Sequence, residues 1–179
     1  MHACGVRGLR CNIVDVQQGK GQLPMELLLT LAARIRPMGW HLELLMHVNE
    51  FPDLDTSLGG LGVPVVFGHL GYAPAAQPDS AGFRALLRLM QDGVGWAKLT
   101  GPYRLTPQEM PYPAVDAVAA ALLEAAPGQL VWGTDWPHVM VKSAMPDDGA
   151  LLDLFATWVP QPELRQRILV DNPARLYGF

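Results

Sequence analysis

Asp135 stands in the run Val131-Trp132-Gly133-Thr134-Asp135-Trp136-Pro137-His138, where a short apolar stretch gives way to a glycine, a carboxylate, a proline and an imidazole. A carboxylate in such a place has three uses open to it: base toward water, metal ligand, or turn residue holding local amides. His69 ends a second apolar run, Val63 to Gly68, with glycines on either side of it. An imidazole there can polarise a carbonyl, bind a metal, or bond to nearby backbone. Arg10 and Arg104 carry planar forks that match the two oxygens of a carboxylate, with a surface ion pair as the plainer alternative. Lys98 lies between Ala97 and Leu99, where an ammonium is costly unless it is paired or faces a polar pocket. Thr100, His47, His138 and Tyr72 complete the set of candidate substrate contacts. His138 is also placed to orient Asp135, whereas Tyr103 reads as pocket wall. Trp40 and His41 begin a run at the far end from these groups and read as packing. Arg7 and Arg175 read as structural.

The elements that must position these residues are five short apolar or β-branched runs: Gly8 to Val14, His41 to Met46, Val63 to His69, Val94 to Thr100, and Leu130 to Trp136. Helical segments separate and follow them. They are Leu23 to Ile35, Asp79 to Gln91 with Asp-Ser as a capping pair, Pro113 to Ala126, Ala150 to Trp158, and Pro162 to Val170. Pro52 to Leu61 adds a helical turn or two. Continuous apolar strands alternating with helices predict a parallel sheet covered by helices, an α/β fold in a single domain over residues 1–179. Pro137 cannot donate to a sheet ladder, so the last strand stops about there. Polar residues follow every run: Asn12 and Asp15, then His47 and Asn49, then His69, then Lys98, Thr100 and Arg104, then Asp135 and His138. Five polar strand ends in register predict one polar mouth, where ligands of α/β proteins bind.

Bulk properties exclude several classes. Half of the 179 residues are hydrophobic and the net charge is −4, which leaves no basic footprint for nucleic acid. No apolar run approaches the roughly 20 residues of a membrane span. Cys4 and Cys11 make neither a disulfide framework nor a structural zinc site. A soluble, cytoplasmic protein without nucleic-acid or membrane partners is expected.

Six motifs, in order along nearly the whole chain, resemble the amidohydrolase superfamily and most closely its lactonase branch. They are Gly5-Val6-Arg7-Gly8-Leu9-Arg10-Cys11-Asn12, Gly39-Trp40-His41, Gly68-His69-Leu70-Gly71, Lys98-Leu99-Thr100-Gly101-Pro102-Tyr103-Arg104, Gly133-Thr134-Asp135-Trp136-Pro137-His138, and the closing Asn172-Pro173-Ala174-Arg175-Leu176-Tyr177-Gly178-Phe179. The resemblance implies a (β/α)8 barrel and hydrolysis of a small lactone or carboxylate-bearing ester. Asp135 would be the base and His69 the electrophilic partner. A metal-dependent hydrolase or decarboxylase of the same superfamily, and a non-catalytic binding domain, are the alternatives.

Such barrels take about 250 residues. The five βα units here would be the fourth to eighth, so a partial barrel is expected, a C-terminal fragment without the first strands and their His-x-His pair. The five histidines, His2, His41, His47, His69 and His138, contain no such pair. No metal site or cofactor is therefore expected in this chain, while a full-length form with those histidines has the donors for zinc or manganese. An open sheet is expected to expose an apolar inner face and two edges, and to favour poor solubility, homo-oligomerisation or a complementary chain. Two departures from pyrone-dicarboxylate lactonases, Tyr72 and Val16 where arginines stand in that group, point toward a less acidic lactone.

Overall fold

The computed structural model describes residues 1–14, 22–141 and 144–179. Asp15 and Val16 lie outside these residues. Five strands, β1 (Gly8–Asn12), β2 (His41–Leu45), β3 (Val65–Phe67), β4 (Gly95–Leu99) and β5 (Leu130–Trp132), pair in chain order. Every pairing is parallel. Parallel neighbours need a crossover after each strand. After β1 to β4 these are α1 (Met25–Ile35), α2 (Leu54–Leu58), α3 (Ala81–Gln91) and α4 (Asp116–Ala125), and after β5 come α5 (Asp148–Trp158), α6 (Pro162–Gln166) and α7 (Asn172–Tyr177). This is the parallel sheet covered by helices expected from the pattern of runs, with the five βα units of the partial barrel that the resemblance implies.

Alternation of side chains along the strands builds two unequal faces. Leu42, Leu44, Val65, Phe67, Ala97, Leu99 and Leu130 face the helices and form the main core with Leu28, Leu86, Leu122 and Phe155. The opposite face is split along the strand direction. Its lower half is apolar: Val66, Trp96 and Val131 pack with Leu176 of α7, and Tyr177 leans on them. Its upper half is polar and carries Arg10, Glu43, Lys98 and Thr100. The expected exposed apolar inner face is therefore absent from the described residues, because α7 covers it. Trp96 retains 4% of its surface and Val131 also 4%. The C-terminal segment is fixed in turn by Asn172, whose Nδ2 donates to the carbonyls of Pro127 (2.9 Å) and Leu130 (2.7 Å) at the start of β5. This edge of the sheet is thus partly satisfied by a side chain.

Element ends depart from the sequence reading where special residues intervene. The third strand starts at Val65 because Pro64 has no N–H, and it stops before His69, whose φ is 49°. The fifth ends at Trp132, well before Trp136, so Asp135 (φ 70°) lies in a loop beyond the strand. The segment expected as one helix over Pro162 to Val170 becomes α6 followed by a π-helical turn, Arg167–Asp171, that runs into α7. Pro173 has no N–H to return to the preceding turn, which favours such a break.

Candidate active site

Three strand exits bring the site together. β3 runs into His69, β4 into Thr100 to Arg104, and β5 into Thr134 to His138. Each exit is bent by left-handed backbone: His69 at φ 49°, Gly101 at φ 59°, Asp135 at φ 70° and His138 at φ 55°. Gly101 is required at the centre. A Cβ on it would lie 3.0 Å from His69 Nδ1, 3.1 Å from Asp135 Oδ2 and 3.2 Å from Arg104 Cδ. Only glycine combines that φ with that approach.

Asp135 is held asymmetrically. Its Oδ2 accepts from the Tyr103 hydroxyl (2.7 Å) and from Arg104 Nε (2.7 Å). Its Oδ1 carries no hydrogen bond among the described residues and faces His69 Nε2 at 3.8 Å. A second Arg104 nitrogen donates to the Val139 carbonyl (3.0 Å), so this arginine clamps both the base and its loop. Burial, and then the neighbouring Asp135 carboxylate, push the Tyr103 hydroxyl above its ordinary pKa, so it stays a donor.

His69 is mostly covered, and this desolvation lowers its pKa from 6.5 to about 4. Asp135 acts against the shift, and the charges of Arg104, Lys98 and Arg10 act with it. At neutral pH the ring therefore carries one hydrogen. Its Nδ1 lies 2.9 Å from Thr100 Oγ1. With the Thr100 hydroxyl donating to Nδ1, the ring hydrogen sits on Nε2, the atom that faces Asp135 Oδ1. The pair then offers an N–H donor and a carboxylate lone pair across a 3.8 Å gap.

The other candidate residues fall around this pair. Tyr72 stacks edge-on against His69 (ring centroids 5.2 Å apart) and His47 packs edge-on against Tyr72 (5.1 Å). With Arg104, Asn49, Glu50 and Phe51, Tyr72 and His47 wall a neighbouring cavity of about 400 Å³, which His69 and Asp135 themselves do not line. Lys98 is paired: its Nζ donates to Glu43 Oε2 (2.5 Å), reaching across β3. Arg10 lies 4.0 Å from the other Glu43 oxygen, with its side chain 56% exposed. These two cations thus surround Glu43, and Arg104 is engaged with Asp135. His138 is buried against Tyr103 and Asp148. Glu43 and Asp148 did not stand out in the sequence, and Tyr103 is a hydrogen-bond donor to Asp135 rather than only a wall. Arg175 lies over the Trp96 ring at 4.7 Å, in keeping with a structural role. Among the described residues, no group of three or more His, Cys, Asp or Glu side chains is placed to hold a metal. His69 and Asp135 supply two such donors, which by themselves do not make a metal centre.

A parallel sheet with its crossover helices on one face and α7 under part of the other, and a carboxylate, an imidazole and an arginine converging at its carboxyl-end mouth, define an α/β-barrel type of protein with an enzyme-like site. The amidohydrolase family model matches residues 1–179, and the chain belongs to the amidohydrolase family. It is 35% identical over 187 residues to 2-pyrone-4,6-dicarboxylate hydrolase of Comamonas testosteroni, covering 99% of this chain and 61% of that protein. It is 38% identical over 177 residues to 4-sulfomuconolactone hydrolase of Rhizobium radiobacter, covering 97% of this chain and 59% of that protein. A crystal structure from Agrobacterium tumefaciens superposes with a TM-score of 0.79 at 30% identity, over 94% of this chain and 60% of that one. The chain therefore spans about three fifths of the length of the curated relatives it matches.

Proposed function

We propose that this site belongs to a hydrolase that opens a lactone by general-base activation of water. The observation that carries the reading is the asymmetric hold on Asp135: one oxygen is tied by Tyr103 and Arg104, and the other is left facing His69. In this reading a water on Oδ1 gives up a proton as its oxygen attacks the ring carbonyl. The Nε2–H of neutral His69 donates to the carbonyl oxygen as negative charge develops there. The tetrahedral intermediate then expels the ring oxygen, which takes up the proton from Asp135. Two of the relatives carry names of lactone hydrolases, which supports the same reaction class.

The substrate on this reading is a lactone with less negative charge than a pyrone dicarboxylate. Tyr72 rather than an arginine lines the neighbouring cavity, and Arg104 is engaged by Asp135. The test is hydrolysis of a panel of sugar and pyrone lactones by wild type and Asp135→Asn. Loss of the base is expected to lower kcat by roughly 10²- to 10⁴-fold. Wild-type rates in Asp135→Asn, or no hydrolysis of any lactone, would overturn the reading.

A further inference from the structure

We infer that Asp148 and His138 are positioning residues that fix the direction of the Tyr103 hydroxyl, and through it the hold on Asp135. The inference rests on Asp135 being the base.

Four groups form one line. Asp148 Oδ1 lies 2.9 Å from His138 Nε2, His138 Nδ1 lies 2.9 Å from the Tyr103 oxygen, and that oxygen lies 2.7 Å from Asp135 Oδ2. They come from three places in the fold: the first turn of α5, the loop after β5 and the loop after β4. The line has an ionised carboxylate at each end, and a carboxylate only accepts. Three hydrogen bonds need three hydrogens. Tyr103 has one to give, so the imidazole must supply two, one from each nitrogen. With Tyr103 donating to Asp135, its oxygen accepts from His138 Nδ1–H, and His138 Nε2–H donates to Asp148.

Taking one hydrogen off the ring breaks the line somewhere. If Nδ1 is bare, Tyr103 turns its hydrogen toward it and presents a lone pair to the Asp135 carboxylate. If Nε2 is bare, a lone pair faces Asp148. In the first case Asp135 keeps only the Arg104 bond on Oδ2 and loses its fixed orientation. Asp148 prevents this by stabilising the doubly hydrogenated ring.

The surroundings suit that task. His138 is 6% exposed, and its backbone N–H donates to the Asp135 carbonyl (2.8 Å), so the two residues share one tight turn. Asp148 opens the 11-residue α5, where the helix N-terminus favours a carboxylate, and the adjacent Asp147 caps the same turn. Asp148 is 47% exposed, so the line ends at solvent. Among the described residues, the charged and titratable groups near His138 from these elements are Asp148, Tyr103 and Asp135, with Arg104 behind the Tyr103 ring at 5.2 Å.

The first arm of the test is nitrogen-15 NMR of the histidine rings of the 179-residue chain. Wherever the four-group line is intact, His138 is expected to carry hydrogen on both nitrogens, and Asp148→Asn to leave it with one. A wild-type His138 with a single ring hydrogen overturns the inference. The second arm is lactone hydrolysis. Asp148→Asn is expected to lower kcat about tenfold or more with KM little changed and to shift the pH profile, and Asp148→Glu to restore both. An Asp148→Asn enzyme with wild-type kcat and pH profile also overturns it, provided that Asp135→Asn is inactive. If Asp135→Asn is itself active, the base assignment has failed instead, and the NMR arm reports the hydrogen-bonded line independently.

Discussion

Acidification tests the environment of His69. In the unfolded chain its imidazole takes a proton near pH 6.5, whereas in the folded protein burial holds it neutral down to about 4. Between those values the unfolded state binds the proton and the folded state does not. The contribution to stability is therefore fully present above about pH 6.5 and is lost as the pH falls through this window. At about 1.36 kcal/mol per pKa unit, the whole drop is about 3 kcal/mol, of which about 2.5 is gone by roughly pH 4.5. The perturbation is His69→Gln, which removes the titration and keeps a polar side chain. Urea unfolding of wild type and variant from about pH 7.5 to about 4.5 gives the difference directly. His41, also held below its ordinary pKa by burial, adds a slope of the same sign to both proteins and cancels. The wild type is expected to lose about 2.5 kcal/mol more than the variant across that range. Equal slopes in the two proteins, or an NMR titration of His69 near 6.5, would refute this account of the site.

Two further outcomes follow from the packing. Gly101→Ala places a methyl in a left-handed turn against His69 and Asp135. It is expected to cost about 1–2 kcal/mol from the backbone alone and to lower lactone hydrolysis more than stability, with urea unfolding and kcat as the measurements. Lys98→Met leaves Glu43 without its 2.5 Å partner at a site where both side chains are mostly covered. A loss of about 1–3 kcal/mol is expected, largely recovered in Lys98→Met with Glu43→Leu, and a double variant no better than the single one would contradict it.

Much of the fold was legible because parallel strands buried on both faces read as continuous apolar runs, and these runs have few other uses at such lengths. The mouth was legible for the same reason: His69, Thr100, Arg104 and Asp135 each follow a run. Glu43 was harder to see. It sits mid-strand in His41-Leu42-Glu43-Leu44-Leu45, and its partner Lys98 belongs to β4 with β3 between them, a pairing no local pattern encodes. Asp148 resembles an ordinary acidic residue opening a helix, and only the return of the loop brings His138 onto it. Tyr103 was visible as an aromatic near the site, but the direction of its hydroxyl depends on loops from two strands. The covered floor was missed because residues far apart in sequence supply it.

That floor bears on the order in which the protein is made. Leu176 and Tyr177 pack under Trp96 and Val131, and Tyr177 also meets His41 edge-on at 5.5 Å, beside the start of β1. These contacts have large sequence separation, and contacts of that kind form late because a long stretch of chain must be closed first. A nascent chain can assemble β1 to β5 against their helices, yet the inner face stays open until residue 177 has left the ribosome. The interval before α7 emerges is thus when this sheet is most exposed to pairing with another copy, and slowing synthesis over α7 would lengthen it.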